Sequence, residues 1–247
     1  MPAISDPRPL ARLGGGLLRL VRSGLFHPRC RLCGLDLVGR GETAICLDCL
    51  EKLRPATENQ CRHCGKYIPE GNDRCGACLL ARPPFLRHVS YAAYEGTLRE
   101  VIILYKYGEV EPLKSLLARL CQELVRQKLP GAFDAVIPVP ADRGRRRGFQ
   151  PVPAIGRELA RRLGIGFWPR VLIKKRSTLP QVGLTQAQRK VNLDGAFALA
   201  PGKRLAGKSV LLLDDVTTTG TTVRRCAAVL KRHGARVTAI TLARSRF

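Results

Sequence analysis

The sequence predicts an α/β fold, a parallel sheet with flanking helices, preceded by a small cysteine-rich module. Three observations carry this. Eight of the ten cysteines fall between Cys30 and Cys78. Beyond them, short apolar runs alternate with amphipathic stretches of helical period. Two of those runs lead through a loop into a following helix, the β-loop-α unit of a parallel sheet covered on both faces.

The elements follow in order. Residues 1–27 are expected to form an amphipathic segment, although Gly14, Gly15 and Gly16 weaken a continuous helix there. Residues 28–82 form the cysteine module and residues 88–247 the α/β domain. In that domain the pattern predicts a strand over 89–94 and helices over 98–106 and 112–128. A buried strand over 135–140 ends in prolines, and an arginine-dense loop then leads to a helix over 152–163. A second unit runs as a strand over 209–213, a Thr/Gly loop, and a helix from Thr221 to His233 stopped at Gly234. The chain returns as a strand over 236–242. Ligands of such sheets gather at the carboxyl ends of the strands.

The formal charge of +24, from 43 Lys+Arg against 19 Asp+Glu, is enough to attract a polyanion. Residues 1–90 hold 14 basic and 8 acidic side chains, leaving 29 and 11 for the rest, so most of the excess lies on the second domain. Two zinc ions on eight thiolates would bring the net charge nearer +20. A dispersed, solvated surface is the competing reading. Arg12, Arg19 and Arg22 interrupt the amino-terminal apolar residues, so neither a membrane span nor a secretory signal is expected, and a cytoplasmic location is. In a reducing compartment, closely spaced cysteines favour metal over disulfides.

The cysteines form four Cys-x2-Cys pairs: Cys30 and Cys33, Cys46 and Cys49, Cys61 and Cys64, Cys75 and Cys78. A two-residue gap turns both sulfurs toward one ion, and two such knuckles complete a tetrahedral zinc site. The segment is a tandem repeat of one ribbon pattern holding two structural Zn2+ ions. Adjacent pairing assigns the first four cysteines to one ion and the last four to the other, while a nested arrangement stays open. A redox-active pair or an iron–sulfur cluster is the rival chemistry. Gly34, Gly65 and Gly76 each follow a knuckle cysteine, where a positive φ is easily accommodated. His63 reads as an exposed loop residue rather than a ligand. Cys121 and Cys226, within predicted helices, read as buried apolar thiols.

The most specific signal is the run from Val210 to Thr222. An apolar strand brings Asp214 and Asp215 to its carboxyl end, and Thr218, Thr219, Gly220, Thr221 and Thr222 then open a helix. Two exposed adjacent carboxylates can accept hydrogen bonds from the vicinal hydroxyls of a ribose. The loop offers backbone N–H groups, hydroxyls and a helix amino terminus to a phosphate. Gly220 keeps a Cβ out of the anion's way. The rival reading makes the two acids helix caps beside an ordinary turn. There is no Gly-x-x-x-x-Gly-Lys run, so a P-loop nucleotide hydrolase is not expected.

These residues resemble the signature of type I phosphoribosyltransferases, which bind phosphoribosyl pyrophosphate (PRPP). The resemblance implies that Asp214 and Asp215 hold the ribose 2′- and 3′-hydroxyls and that residues 218–222 cradle the 5′-phosphate. Two further stretches narrow it to the ComF family, a double zinc ribbon joined to such a domain. The first runs from Ile137 to Pro140, then Arg143, Arg145, Arg146, Arg147, Gly148, Phe149 and Gln150. The family has an Asn-Gln pair after Gly-Phe where this chain has only Gln150. This strand end commonly supplies the pyrophosphate loop, and its arginines suit pyrophosphate or a nucleic-acid backbone. The second, from Lys174 to Gln181, then Leu184, residues 188–192 and Gly195-Ala-Phe197, resembles a hood loop and the hairpin after it. The Tyr105-Lys106-Tyr107-Gly108 segment also matches.

The resemblance implies PRPP with Mg2+, single-stranded DNA, and DNA-uptake or recombination proteins as partners, and it allows a homodimer. It connects the chain to natural transformation. A Mg2+-dependent transferase in nucleotide metabolism, labelled amidophosphoribosyltransferase-like, and a non-catalytic PRPP-sensing regulator are the alternatives. No glutaminase domain is recognised. Aromatics make up only 5% of the chain, so backbone-dominated rather than stacking-dominated DNA contact is expected.

Overall fold

The computed structural model describes residues 29–37, 44–141, 149–175 and 193–246. The cysteine module contributes two short helices, α1 (Leu47–Glu51) and α2 (Gly76–Leu80). The α/β domain follows as β1 (Arg87–Ala93), α3 (Gly96–Tyr107), α4 (Leu113–Lys128), β2 (Ala135–Pro138), α5 (Pro151–Leu163), β3 (Gly166–Phe167), β4 (Leu172–Lys174), β5 (Phe197–Leu199), β6 (Ser209–Thr217), α6 (Thr221–Arg232) and β7 (Arg236–Arg244).

Five strands form one sheet in the order β1-β7-β6-β2-β3, and every pairing in it is parallel. The apolar runs are continuous because both faces are covered. Along β6, Leu211 and Leu213 enter the core beneath α3, α4 and α5, whereas Val210 and Leu212 enter the core beneath α6. Cys121 and Cys226 are both fully buried, as small apolar thiols.

The cysteine module is not a separate bead. Cys30, Ile45, Cys49 and Leu53 join the first core, while Cys61, Cys64, Cys75, Cys78 and Phe85 join the second. The two halves lie on opposite faces of the sheet and meet its edge strand, β1. Ala56 N–H donates to the Tyr91 carbonyl at 2.7 Å, and His88 N–H donates to the His63 carbonyl at 2.8 Å. These bonds blunt an edge that would otherwise offer unpaired donors to other chains.

Two readings of the sequence need correction. Strand β6 runs four residues beyond the expected end at Leu213, because β7 continues beside it and pairs Thr217 with Arg244. The residues read as a hood loop and the hairpin after it lie mostly outside the described residues; on either side of them β4 and β5 are antiparallel partners, with Lys174 opposite Phe197. Gly76 opens α2 and has no positive φ, unlike Gly34 and Gly65. The expected amphipathic segment, residues 1–27, lies outside the described residues.

Candidate functional site

Two places in the fold gather the chemistry: the carboxyl end of β6 with the loop after it, and the two cysteine clusters.

At the end of β6 successive residues face opposite sides of the sheet. Asp215 lies on the α3 side, where Lys106 Nζ sits 2.6 Å from its Oδ2. Asp215 is thus buried and ion-paired, not an exposed strand-end acid as the sequence suggested. Asp214 is half-buried on the other side. Burial and the neighbouring Asp215 charge push its carboxyl up to about 7 against the pull of Lys106. Each carboxylate accepts from the next backbone N–H, Asp215 N to Asp214 Oδ1 at 2.9 Å and Val216 N to Asp215 Oδ1 at 2.6 Å.

The chain then turns through Thr218 and Thr219 into Gly220, which caps α6 with φ +75°. A Cβ there would meet nothing closer than 3.8 Å. Glycine is therefore required by the backbone conformation rather than by lack of room. Thr219 and Thr221 share a hydroxyl hydrogen bond of 2.8 Å, which draws the loop around the helix start. Beneath it, the Arg244 guanidinium reaches the Thr218 carbonyl at 3.4 Å.

The other stretch the sequence singled out is the loop after β2. Arg143, Arg145, Arg146 and Arg147 lie outside the described residues, but its exit is fixed. Phe149 packs edge-on against Tyr105, with ring centroids 4.9 Å apart, and the Tyr105 hydroxyl donates to the Pro151 carbonyl. The exit is thereby held against Tyr105, one residue before Lys106. A cleft lined by Pro140, Gln150, Arg157, Phe167 and Arg170 opens at the ends of β2 and β3.

The eight paired cysteines assemble into two clusters, Cys30, Cys33, Cys46 and Cys49 in one and Cys61, Cys64, Cys75 and Cys78 in the other. This is the adjacent grouping, not the nested one. Sulfur separations are 3.8 Å for Cys30 and Cys49, 3.6 Å for Cys33 and Cys46, and 3.6 Å for Cys64 and Cys75. A tetrahedron of Zn–S bonds of about 2.3 Å spaces its sulfurs by about 3.8 Å, so the clusters fit the ion. Burial opposes thiolate formation at Cys30, yet knuckle N–H groups, first that of Cys33, bring its thiol down to about 6. Cys61 reaches about 7 in the same way. His63 is half-buried rather than exposed and belongs to neither cluster.

Sequence reasoning missed Lys106, Arg244 and His88 as parts of these sites. Lys106 follows the buried Tyr105 in the last turn of α3, and Arg244 closes a strand whose residues after Arg236 are all buried; both are charges among buried neighbours. His88 carried no signal of its own.

The chain is similar to known proteins and families. The phosphoribosyl transferase domain family matches residues 106–246 and the double zinc ribbon domain family residues 21–79. Competence protein F of Haemophilus influenzae is 30% identical over 219 residues, spanning 85% of this chain and 93% of that protein. DNA utilization protein YhgH of Escherichia coli K12 is 32% identical over 212 residues, spanning 83% of this chain and 92% of that one. Among solved structures, glutamine phosphoribosylpyrophosphate amidotransferase from B. subtilis matches with 24% identity and a TM-score of 0.36. That match covers 53% of this chain, which spans about a quarter (26%) of the amidotransferase.

Proposed function

Because the chain belongs to the ComF-type family, whose members join a double zinc ribbon to a phosphoribosyltransferase domain, we propose that it binds PRPP with Mg2+ and handles single-stranded DNA during DNA uptake. The observation that carries the PRPP reading is the succession at the end of β6: two adjacent carboxylates, then a threonine loop closed by the left-handed Gly220 at the start of a 12-residue helix. Asp214 and Asp215 accept the ribose hydroxyls, and residues 218–222 hold the 5′-phosphate with backbone and hydroxyl donors. Mg2+ would accompany the pyrophosphate, whose charge the arginines after β2 suit. Transfer to an acceptor breaks the bond from C1 to pyrophosphate and joins C1 to the acceptor nucleophile, which gives up its proton. The eight cysteines hold two structural zinc ions.

The DNA part of the reading rests on the charge of +24 and on what the relatives are called. The PRPP part is tested by thermal unfolding with and without PRPP and Mg2+. Binding to the folded state alone stabilises by about 2.7 kcal/mol at a hundredfold excess over the dissociation constant. Asp214→Ala is expected to remove most of that gain, and Thr221→Val to reduce it less, since backbone donors remain. Asp214→Ala combined with Asp215→Ala removes all of it, at the added cost of leaving Lys106 without its partner. Ribose 5-phosphate competes and nucleosides do not. Binding of PRPP to the double variant as tightly as to the parent would overturn the assignment.

A further inference from the structure

Two buried contacts join the second cysteine cluster to the phosphate loop. Arg244, 4% exposed at the end of β7, donates from Nη2 to the Cys64 carbonyl at 2.7 Å and from Nη1 to the Thr218 carbonyl at 3.4 Å. One guanidinium thus holds a zinc knuckle with one hand and the loop with the other. Its Nη2 also meets His88 Nδ1 at 3.2 Å. Arginine can only donate, so Nδ1 accepts and Nε2 carries the proton toward Thr241 Oγ1, 3.2 Å away, which in turn bonds Ser90. Burial and the nearby arginine charges hold His88 well below the ordinary histidine value, keeping it neutral. The knuckle is pressed close: at Gly65 a Cβ would lie 2.7 Å from the His88 carbonyl oxygen.

The second contact comes from α6, whose amino terminus is the loop itself. Arg224, in the first turn, donates to Cys78 Sγ at 3.7 Å and lies over the Phe85 ring, 5.7 Å from its centroid. Among the described residues no carboxylate pairs with Arg244, and its Nε has no hydrogen-bond partner. Four thiolates on one zinc ion carry two net negative charges, so the second cluster supplies the counter-charge for both arginines. The first cluster packs in the core on the other face of the sheet.

We propose that the second cysteine cluster, acting through Arg244 and Arg224, positions the 5′-phosphate loop, so that metal loading at this cluster and not at the first sets the affinity for phosphorylated ribose. The inference rests on the reading of residues 218–222 as the phosphate site.

The test uses the full-length zinc-loaded chain with two readouts: calorimetric affinity for ribose 5-phosphate, and hydrogen exchange of the amides of residues 217–222. Arg244→Lys and Arg224→Met are expected to keep two zinc ions per chain, yet to weaken ribose 5-phosphate by about tenfold, the usual scale for groups supporting a metal site. Exchange over 217–222 quickens in both. Cys75→Ser loses one zinc and reproduces these effects, whereas Cys46→Ser loses one zinc and keeps the affinity within about twofold. Because they act along one route, Arg244→Lys and Cys75→Ser together weaken binding less than the product of the single effects. Unchanged affinity and exchange in both arginine variants, or equal effects of Cys46→Ser and Cys75→Ser, would overturn the proposal. Should Cys75→Ser fail to fold, the arginine variants decide alone. Should the parent bind neither ribose 5-phosphate nor PRPP, the phosphate reading fails while the exchange comparison still judges the coupling.

Discussion

Lys106 Nζ lies 2.6 Å from Asp215 Oδ2, joining the last turn of α3 to the end of the central strand. Their side chains are 20% and 12% exposed, so water screens the pair only in part. Burial lowers the Lys106 pKa, but the charge and hydrogen bond of Asp215, with the charges of Asp214 and Tyr107, together more than offset this and the net shift is upward. Lys106→Met therefore leaves a buried carboxylate without its cation. We predict a stability loss of about 2 kcal/mol, somewhat below the cost of breaking a fully buried pair. PRPP binding also weakens, because an uncompensated Asp215 raises the negative potential that the pyrophosphate must face. Urea unfolding at neutral pH checks the first part. A midpoint equal to that of the parent would mean that the pair behaves as an ordinary surface contact.

The second prediction concerns pH. Asp214 titrates at about 7, far above an ordinary aspartate near 3.9. Between those values the folded chain holds a proton that the unfolded chain has released, so its contribution to stability falls as pH rises through that window. Asp214→Asn should raise the melting temperature at about pH 8 and change it little at about pH 4. Accepting a ribose hydroxyl favours the ionised carboxylate, so ribose 5-phosphate should bind more tightly at pH 8 than at pH 6 and release protons as it binds. The ligand's own phosphate also titrates near pH 6, so the decisive comparison is with Asp214→Asn, which keeps the phosphate part and loses the rest. Equal pH profiles for parent and variant would place Asp214 away from the ribose.

Much of the fold was legible because its signals are local. The apolar run from Val210 to Leu213 and the helices at 113–128 and 151–163 carry their period in the sequence. The Cys-x2-Cys spacing also gave the four pairs, though not which two pairs gather at one site. What escaped was set by partners far along the chain. Strand β6 extends past Leu213 only because β7 offers Thr241, Ala243 and Arg244 as neighbours. Asp215 looked exposed because Lys106, more than 100 residues earlier, could not be placed beside it. The same holds for Arg244, whose partners Cys64 and Thr218 lie far from it in sequence and come together only when the ribbon docks on β1. Period and spacing do not encode such pairings.

The third prediction takes up the charge. Binding of single-stranded DNA driven by its phosphates releases counterions, so affinity should fall linearly on a logarithmic salt scale, with little preference for sequence. Replacing Arg145, Arg146 and Arg147 together by glutamine should flatten that slope by about 0.7 for each phosphate left without its arginine. Fluorescence anisotropy with a labelled oligonucleotide across a salt series measures this. If the triple variant has the parent's slope, the arginine loop does not touch the backbone. If the parent does not bind at low salt, the charge excess is a solvated surface.

The last prediction concerns metal removal. The purified chain should hold close to two zinc ions, since each cluster offers four sulfurs at tetrahedral spacing. From sequence alone, losing the first ion would unfold a small ribbon and leave the α/β domain intact. The packing argues otherwise, because Cys30, Cys49, Ile45 and Leu53 share one core with Tyr91 of β1 and Leu124 of α4. The Tyr91 hydroxyl also donates to the Leu53 carbonyl at 3.0 Å and would be left without that partner. Cys30→Ser should therefore lower the melting temperature of the whole chain in a single transition, not release an early, separate one. A destabilisation of about 2–4 kcal/mol is expected from several partly exposed apolar side chains and one orphaned hydroxyl. Calorimetry with zinc analysis on the same sample measures both quantities. Two resolved transitions, with the upper one at the parent's temperature, would show the ribbon to be energetically independent. Iron in place of zinc would overturn the metal assignment itself.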